Sequence, residues 1–311
     1  MGNSVDVVIP IYKAGNDFVK MLEKLYKQSK RPEHIYLLQT IESKDEKLFD
    51  KEKCSHGLAN IISVHPIKKS DFDHGATRAY GALMAKSEYV LFMTQDAVPA
   101  DEYLVENLAA AFESPDIDAA YARQLPAADC ALIERYTRSF NYPDTPSVKT
   151  KADLPKYGIK TFFCSNVCAM YRASTYQKLG GFEKKTIFNE DMIFAGKIIL
   201  NGGSIAYVPA ARVIHSHNYG NLEQLRRNFD LAVSQAEHPE IFALASSESE
   251  GMKLVKQTAE YLVKSGHPWL LPELVVKSGF KFIGYRLGKE YRKLPESLVK
   301  RLSMNKSYWE K

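Results

Sequence analysis

The sequence lacks any long apolar run. No segment approaches the roughly 18 consecutive apolar residues that a membrane-spanning helix requires. Cysteine is scarce, with four residues in 311, and that density excludes a disulfide-stabilised scaffold. The first apolar segment has neither a basic stretch before it nor a small-residue cleavage site after it, so no secretory signal peptide is expected. The composition, 45% hydrophobic and 25% charged, predicts a soluble globular protein, and its few cysteines are expected to be reduced thiols in the cytoplasm.

Positive charge is concentrated near the C-terminus. Residues 251–311 hold 13 Lys and Arg against 5 Asp and Glu, whereas the first 250 residues hold 29 against 32. Apolar residues from Trp269 to Tyr291 are interleaved there with basic residues from Lys277 to Lys293. This pattern fits either a helix on an anionic membrane surface or a helical subdomain packed on the rest of the chain. No nucleic-acid recognition motif accompanies it, so nucleic acid is not an expected partner.

The first half of the chain alternates strand-like and helix-like patterns. Strands are predicted over residues 5–10, 34–40, 61–65, 89–93 and 118–122, and helices over 17–28, 76–85 and 102–112. Continuous apolar strands between helices predict a mostly parallel, doubly wound α/β sheet. Beyond it, residues 141–160 are predicted as a surface loop, 162–171, 204–208 and 212–215 as strands, and the chain from Leu222 onward as helical.

Polar residues follow the carboxyl ends of these strands, where such sheets bind ligands. Pro10, Thr40 and Asp96 all lie at such ends. By itself Asp96 fits an ordinary turn, because Asp and Pro favour turns for local reasons. Its position beyond a fully apolar strand, Tyr89 to Met93, makes it a candidate ligand-binding carboxylate.

Three further segments carry candidate chemistry. His74 and Gly75 begin a helix with Arg78 one turn later; the free N–H groups of a helix start bind phosphate, although a simple capped surface helix is the alternative. Glu190 and Asp191 lie in the first turn of another helix, where acids also complement the helix dipole. Neighbouring helical residues point in different directions, so at most one of the two acids is expected to face a reactive centre.

His215 and His217 are two residues apart and therefore share one face if the strand persists. A single histidine is more often structural than a ligand. Two histidines on one face, together with an aspartate at the carboxyl edge of the sheet, favour a metal site and a structural role equally.

Six segments, VVIPIYK, DFDHGATRAYGA, LFMTQDAVPAD, YARQLP, FNEDM and VIHSHNYG, occur in this order. Together they resemble the inverting family 2 glycosyltransferases with the GT-A fold, over residues 5 to about 220. TQDA with HSHNY is most similar to the rhamnosyltransferase branch, which builds cell-wall and surface polysaccharides. The resemblance implies a catalytic domain over residues 1–220 and a basic helical region over 221–311.

The resemblance also implies roles for individual residues. Donor-nucleotide contacts fall on Pro10, Tyr12, Thr40, Glu42, His74, Gly75, Arg78, Gln95 and Asp96. The acceptor or sugar pocket falls on Arg123, Gln124, Ser165, Asn166 and Glu190. A divalent ion, Mn²⁺ or Mg²⁺, falls on Asp96 and on the family's histidine, which matches His215 best and His217 next. The sequence departs from the family pattern at Thr94, which replaces the first of two acids, and at Ala79, which replaces an Asn. QTIESKD stands in place of an Asp-rich turn.

By the same resemblance Asp191 is the general base that removes the proton of an acceptor hydroxyl. The helix start is expected to keep this carboxylate ionised. The first acid of the family touches ribose hydroxyls, so its loss favours a deoxyribose donor, dTDP-rhamnose. A UDP-linked donor and a catalytically inactive nucleotide-sugar-binding subunit are the alternatives. A nucleotidyltransferase is disfavoured because its Gly-rich loop is missing after the first strand.

The expected acceptor is a surface or cell-wall glycan, with a polyprenyl-linked form as one alternative. Residues 221–311 are expected to contact the inner face of the cell membrane, the acceptor or a second copy of the chain.

Overall fold

A computed structural model of the protein describes residues 4–245 and 248–310. One mixed sheet contains the strands β1 Val5–Ile11, β2 His34–Ile41, β3 Ile62–Lys68, β4 Tyr89–Met93, β5 Val98–Pro99, β6 Ile117–Leu125, β7 Ser147–Lys149, β8 Cys168–Arg172 and β9 Ser204–Ile214. Their order is β3-β2-β1-β4-β8-β6-β9-β5, and β7 pairs with β9. Pairing is parallel from β3 to β4 and between β6 and β9, while β8 runs antiparallel to β4 and β6.

Helices cover both faces of the sheet and form the C-terminal region. Those described are α1 Asn16–Tyr26, α2 His56–Asn60, α3 His74–Met84, α4 Leu104–Ala110, α5 Leu132–Asn141, α6 Leu154–Tyr157, α7 Ala173–Lys178, α8 Glu190–Leu200, α9 Asn221–Glu237, α10 Pro239–Phe242, α11 Glu248–Lys264, α12 Leu271–Lys289 and α13 Glu296–Leu302. The predicted α/β class with a helical C-terminal region is confirmed.

Alternation along the buried strands divides the core into two layers. Val7 and Ile9 of β1 pack with α1 and α4 on one face, whereas Val8 packs with Phe92 and α8 on the other. All three β1 side chains are fully buried. Because both faces are covered, the strand ends are the part of the sheet left open to a ligand.

Several predicted boundaries are wrong. Residues 158–162 form a 3₁₀ helix and the strand begins only at Cys168, while 204–214 is one continuous strand. The predicted surface loop 141–160 contains β7 and α6. It also contains the buried Lys149, whose ammonium group donates to the carbonyl oxygens of Lys160 and Phe163. A lysine buried with carbonyl partners cannot be recognised from composition.

The C-terminal helices α9 and α12 pack closely through glycine. A Cβ atom on Gly284 would lie 2.1 Å from the carbonyl oxygen of Leu225, and one on Gly288 would lie 2.3 Å from that of Phe229. The two helices therefore run in the same direction with their backbones in contact. Among the described residues, no helix is long and apolar enough to cross a membrane.

The glycine contact gives a stability prediction. Gly284→Ala should lower the free energy of unfolding by about 1–3 kcal/mol, because its methyl group would overlap the α9 backbone. Gly279→Ala is the matched control in the same helix. No atom lies within 4 Å of a Cβ at that position, so the higher helix propensity of Ala should raise stability by up to about 1 kcal/mol. Equal effects of the two substitutions in urea denaturation would contradict this packing.

Candidate active site

The carboxyl ends of β4 and β9 bring one carboxylate and two imidazoles together. Asp96 Oδ2 lies 3.5 Å from His215 Nε2 and 3.2 Å from His217 Nε2. The three potential ligand atoms all lie within 4.8 Å of one another. His215 is buried and His217 is half-buried. Asp96 and His215 are separated by 118 residues in the sequence but lie side by side in the fold, because β5, just after Asp96, pairs with the end of β9.

The hydrogen bonds of Gln124 fix which nitrogen of His215 faces this cluster. Gln124 Oε1 accepts a hydrogen bond from an Arg138 guanidinium nitrogen and lies 3.0 Å from His215 Nδ1. Arginine can only donate, so the amide oxygen must point towards it. His215 Nδ1 therefore donates to the same oxygen, and the lone pair of Nε2 faces Asp96. Burial lowers the pKa of His215, which favours the neutral imidazole that a metal needs.

The three donors fit a divalent cation. Burial acts to raise the pKa of Asp96, but the close approach of His215 and His217 outweighs it and holds that pKa well below its ordinary value. The carboxylate is therefore ionised at neutral pH. Two imidazoles and one carboxylate suit a first-row transition ion better than Mg²⁺, which prefers oxygen ligands. Gln124 accepts a hydrogen bond from the second ring nitrogen of His215, and metal-binding histidines usually have an outer-shell partner of this kind.

The adjacent acids at the start of α8 have different surroundings. Glu190 is buried and forms a salt bridge of 3.0 Å with the buried Arg78. It also accepts a hydrogen bond of 3.2 Å from the Asn166 amide. Asp191 accepts the backbone N–H of Asn166 at 3.0 Å and that of Met192 at 2.8 Å. As expected, the two carboxylates point in different directions, and Glu190 is held by structural partners.

Asp191 has the protonation behaviour of a base. Burial, together with the nearby Glu190 carboxylate, raises its pKa to about 7. The hydrogen bonds from the N–H groups of Asn166 and Met192 oppose part of this rise. The expectation that the helix start keeps this group ionised is therefore wrong, because desolvation outweighs the helix dipole. A base whose pKa lies near the working pH is well matched to proton transfer.

Gln124 also connects the histidine cluster to the loop that holds Asp191. Its amide nitrogen donates to Ser165 Oγ at 3.1 Å and to the phenol oxygen of Tyr142. Asn166, next to Ser165, donates its backbone N–H to Asp191. Gln124, Ser165 and Asn166 are thus brought together as predicted. Arg123 makes none of these bonds, and its charge acts on the Tyr207 phenol; its role in the pocket stays a prediction.

The start of α3 differs from the expected phosphate site. Asp73 Oδ1 already accepts the N–H groups of Gly75 and Ala76, each at 2.9 Å. A Cβ on Gly75 would lie 1.8 Å from the carbonyl oxygen of Glu183. These N–H groups are therefore not open to a phosphate, and the glycine is required by close packing. Burial lowers the pKa of the neighbouring His74, so this side chain is neutral.

The predicted nucleotide contacts near β1 and β2 form a surface cluster. The Gln95 side chain accepts the Tyr12 N–H at 2.8 Å and donates to the Tyr12 carbonyl at 3.2 Å, joining the ends of β1 and β4. Hydrogen bonds from Tyr12, then Lys69 and Lys13, lower the pKa of Glu42 to about 2. Pro10 is half-buried and Thr40 is buried at the adjoining strand ends. Their nucleotide roles remain predictions.

Four residues at the site were missed from sequence: Arg138, Tyr142, Tyr219 and Arg227. Helix α5 was not predicted, although Glu134, Arg138 and Tyr142 recur at four-residue spacing, which is the available signal. Tyr219 continues the alternation of His215 and His217 and stacks on His217 with ring centroids 4.9 Å apart. The Arg227 guanidinium lies 4.5 Å from the Phe188 ring centroid and 5.9 Å from that of Tyr219.

Residues 6–180 match the sequence model of glycosyl transferase family 2. The chain is 38% identical to the O-antigen chain rhamnosyltransferase RfbN of Salmonella typhimurium, in an alignment covering 98% of this chain and 96% of that protein. It is 35% identical to the O-antigen chain rhamnosyltransferase WbaN of Salmonella anatum, with the same coverage.

Solved structures show the same fold. The mannosyltransferase PcManGT from Pyrobaculum calidifontis, in complex with GDP-Man and Mn²⁺, superimposes with a TM-score of 0.54 at 14% identity, covering 98% of this chain and 84% of that one. TarS 1–349 of S. aureus in complex with UDP-GlcNAc gives a TM-score of 0.53 at 16% identity, covering 93% and 92%.

Removing the Gln124 amide should weaken metal binding. In Gln124→Met, His215 loses the acceptor that holds its Nδ1 proton, so Mn²⁺ affinity should fall about 10- to 100-fold. Isothermal titration of Mn²⁺ against folded wild type and variant measures the change, with thermal unfolding as the folding control. The matched control is Gln28→Met, which removes a buried amide bonded to the backbone of Lys24 and Val105, away from the cluster. An unchanged Mn²⁺ affinity in Gln124→Met would refute the orienting role.

Proposed function

Because this chain belongs to glycosyl transferase family 2, we propose that it is an inverting rhamnosyltransferase of O-antigen assembly. The observation that carries this proposal is 35–38% identity, over nearly the whole chain, to two O-antigen chain rhamnosyltransferases. A catalytically inactive binding subunit is disfavoured, since the chain retains a metal-ligand cluster and a carboxylate whose pKa is raised to about 7. The proposed reaction transfers rhamnose from dTDP-β-L-rhamnose to a hydroxyl group of the growing glycan.

Asp191 is the proposed general base. It accepts the proton of the acceptor hydroxyl as that oxygen bonds to the anomeric carbon, while the bond from that carbon to the diphosphate oxygen breaks on the opposite face. The configuration is therefore inverted. The N–H groups of Asn166 and Met192 each hold one Asp191 oxygen and orient the carboxylate. Arg78 neutralises Glu190, so this buried neighbour adds less negative charge around the base.

Asp96, His215 and His217 are the proposed ligands of a divalent ion, with Mn²⁺ favoured over Mg²⁺ because two of the three are imidazoles. Bound there, such an ion offsets the negative charge of the departing diphosphate. Tyr219 packs against His217 and limits its rotation.

Arg227 is a proposed diphosphate contact. Its guanidinium lies over Phe188, the residue two positions before α8, and near Tyr219. Its charge interacts with both Asp191 and Tyr219. Within residues 4–245 and 248–310, no carboxylate lies within salt-bridge distance of it. A cation between the metal-ligand cluster and the base is placed to receive a donor phosphate.

Thr94 supports dTDP as the donor nucleotide. It occupies the position where the family has an acid that touches ribose hydroxyls, and a hydroxyl-bearing side chain there cannot supply the same charged acceptor. A UDP-linked donor remains the alternative. Both donors use the same metal and base, so this choice is independent of the mechanism.

Metal-dependent turnover tests the function. Purified protein should transfer rhamnose from dTDP-rhamnose in the presence of Mn²⁺ and lose activity on chelation, with UDP-sugars turning over more slowly. Asp96→Ala should weaken Mn²⁺-dependent dTDP binding, while Asp101→Ala, an acid outside the cluster, should not. Activity that survives chelation, or faster turnover of a UDP-sugar, would refute the metal or the donor assignment respectively.

The role of Asp191 predicts a specific kinetic pattern. Asp191→Asn should leave dTDP-rhamnose affinity within about twofold but reduce kcat by about 10²–10⁴-fold, because only proton removal is lost. In the wild type, the base must be ionised to act, and its pKa is raised to about 7. The rate should therefore rise as pH increases through neutrality. A variant with full activity, or a wild-type rate that is flat between about pH 5 and 8, would eliminate this base.

A further inference from the structure

Helix α12 has an apolar face directed away from the protein. Val275, Val276, Phe282 and Ile283 are exposed, with Val275 at 67% and Phe282 at 59%. Together with Gly279 they recur at three- and four-residue spacing and so form one stripe. We call this stripe, Val275, Val276, Gly279, Phe282 and Ile283, the outer face of α12.

The side of α12 that packs against the protein is the side opposite the outer face. The opposite side of α12 carries Gly284 and Gly288, which contact the α9 backbone, and the buried Leu274. The helix has therefore already buried one side. Trp269, 67% exposed in the preceding turn, extends the apolar surface beyond the helix start. A contiguous exposed patch of large apolar side chains marks an interaction surface.

The charges around the outer face have one sign. Residues 274–289 contain no acidic residue, and two of their four basic residues, Lys277 and Lys281, lie on the opposite side of the helix. The nearest acids, Glu273 and Glu290, are each in a salt bridge with a lysine, Lys277 and Lys293. Arg286 and Lys289 follow the apolar stripe on the same side of the helix. A second copy of this chain docked through the same face would present the same basic flank, whereas anionic lipid headgroups would be complementary.

We propose that the outer face of α12 binds the surface of an anionic lipid bilayer. The helix lies in the plane of the membrane, with the apolar stripe and Trp269 at the boundary between headgroups and acyl chains. Arg286 and Lys289 lie at the level of the lipid phosphates. A 19-residue helix presents a footprint about 28 Å long, and such amphipathic helices bind by combining apolar insertion with electrostatic attraction.

This orientation directs the opposite side of α12 towards the candidate active site. Lys281 lies there; burial lowers its pKa, and its charge interacts with Glu134, Arg227 and Arg138. The lipid surface and this basic group are thus separated by about one helix diameter, roughly 10 Å. An acceptor glycan carried on a membrane lipid would enter the site from that side. This last point rests on the proposed function, but binding to lipid itself does not.

Vesicle flotation of the full-length protein, without donor or acceptor, tests the proposal. The probes are vesicles of phosphatidylcholine alone and of phosphatidylcholine with 30% phosphatidylglycerol. Wild type should float with the anionic vesicles, and the double variant Phe282→Asp/Ile283→Asp should lose at least about tenfold of its partitioning. Leu83→Asp is the matched control, because Leu83 is an exposed apolar residue of α3 and its variant should bind as wild type does.

Salt and light scattering separate the remaining outcomes. Raising the salt from about 0.05 to 0.5 M should weaken wild-type binding to anionic vesicles, because the headgroup charge is screened. Equal flotation of wild type and the double variant would overturn the proposal. So would a lipid-free dimer by light scattering that the double variant abolishes, with no vesicle binding, because a second copy would then cover the face. These experiments measure lipid binding and not rhamnosyl transfer. A failure of the lipid-binding proposal is therefore distinguished from a failure of the proposed transferase function.

Discussion

The amide oxygen of Gln124 accepts hydrogen bonds from both Arg138 and His215, and the chemistry of the site depends on this shared acceptor. Arg138 fixes the orientation of the amide, because a guanidinium has only donors. The orientation of the amide in turn fixes the proton of His215 on Nδ1. Nε2 is then the only nitrogen of that ring that can bind an ion beside Asp96. The amide nitrogen donates a hydrogen bond to Ser165, next to the Asn166 backbone that holds Asp191. One side chain thus contacts both the ligand cluster and the loop that positions the base.

A second constraint separates the roles of two neighbouring acids. Glu190 has a buried cation and an amide as partners, and Asp191 has only backbone N–H groups. Desolvation therefore raises the pKa of Asp191, while charge pairing keeps Glu190 ionised. The conformation of Asn189 supports this arrangement. It adopts a left-handed backbone with φ at 62°, and its side chain donates to the Leu231 carbonyl of α9. Helix α9 thus supports the start of α8 as well as α12.

Local pattern predicted the strands that end near the site, because apolar runs such as Tyr89–Met93 reflect burial on both faces of a sheet. Two histidines on one face and an aspartate at the edge of the sheet already indicate that Asp96, His215 and His217 meet, and the order of the motifs favours the same grouping. Helix α5 was missed although its four-residue spacing is a local signal, whereas the buried Lys149 was missed because its carbonyl partners come from outside its own strand. The Asp73 cap at the α3 start is a local feature that sequence could have shown, since Asp is a preferred N-cap residue, whereas the approach of Glu183 to Gly75 depends on tertiary packing.

The most direct test is a crystal structure with Mn²⁺ and dTDP, in which anomalous scattering locates the ion. We expect one strong anomalous peak about 2 Å from an Asp96 carboxylate oxygen, His215 Nε2 and His217 Nε2, with Gln124 Oε1 still bonded to His215 Nδ1. A peak remote from these residues, or one bound through His215 Nδ1, would contradict this assignment.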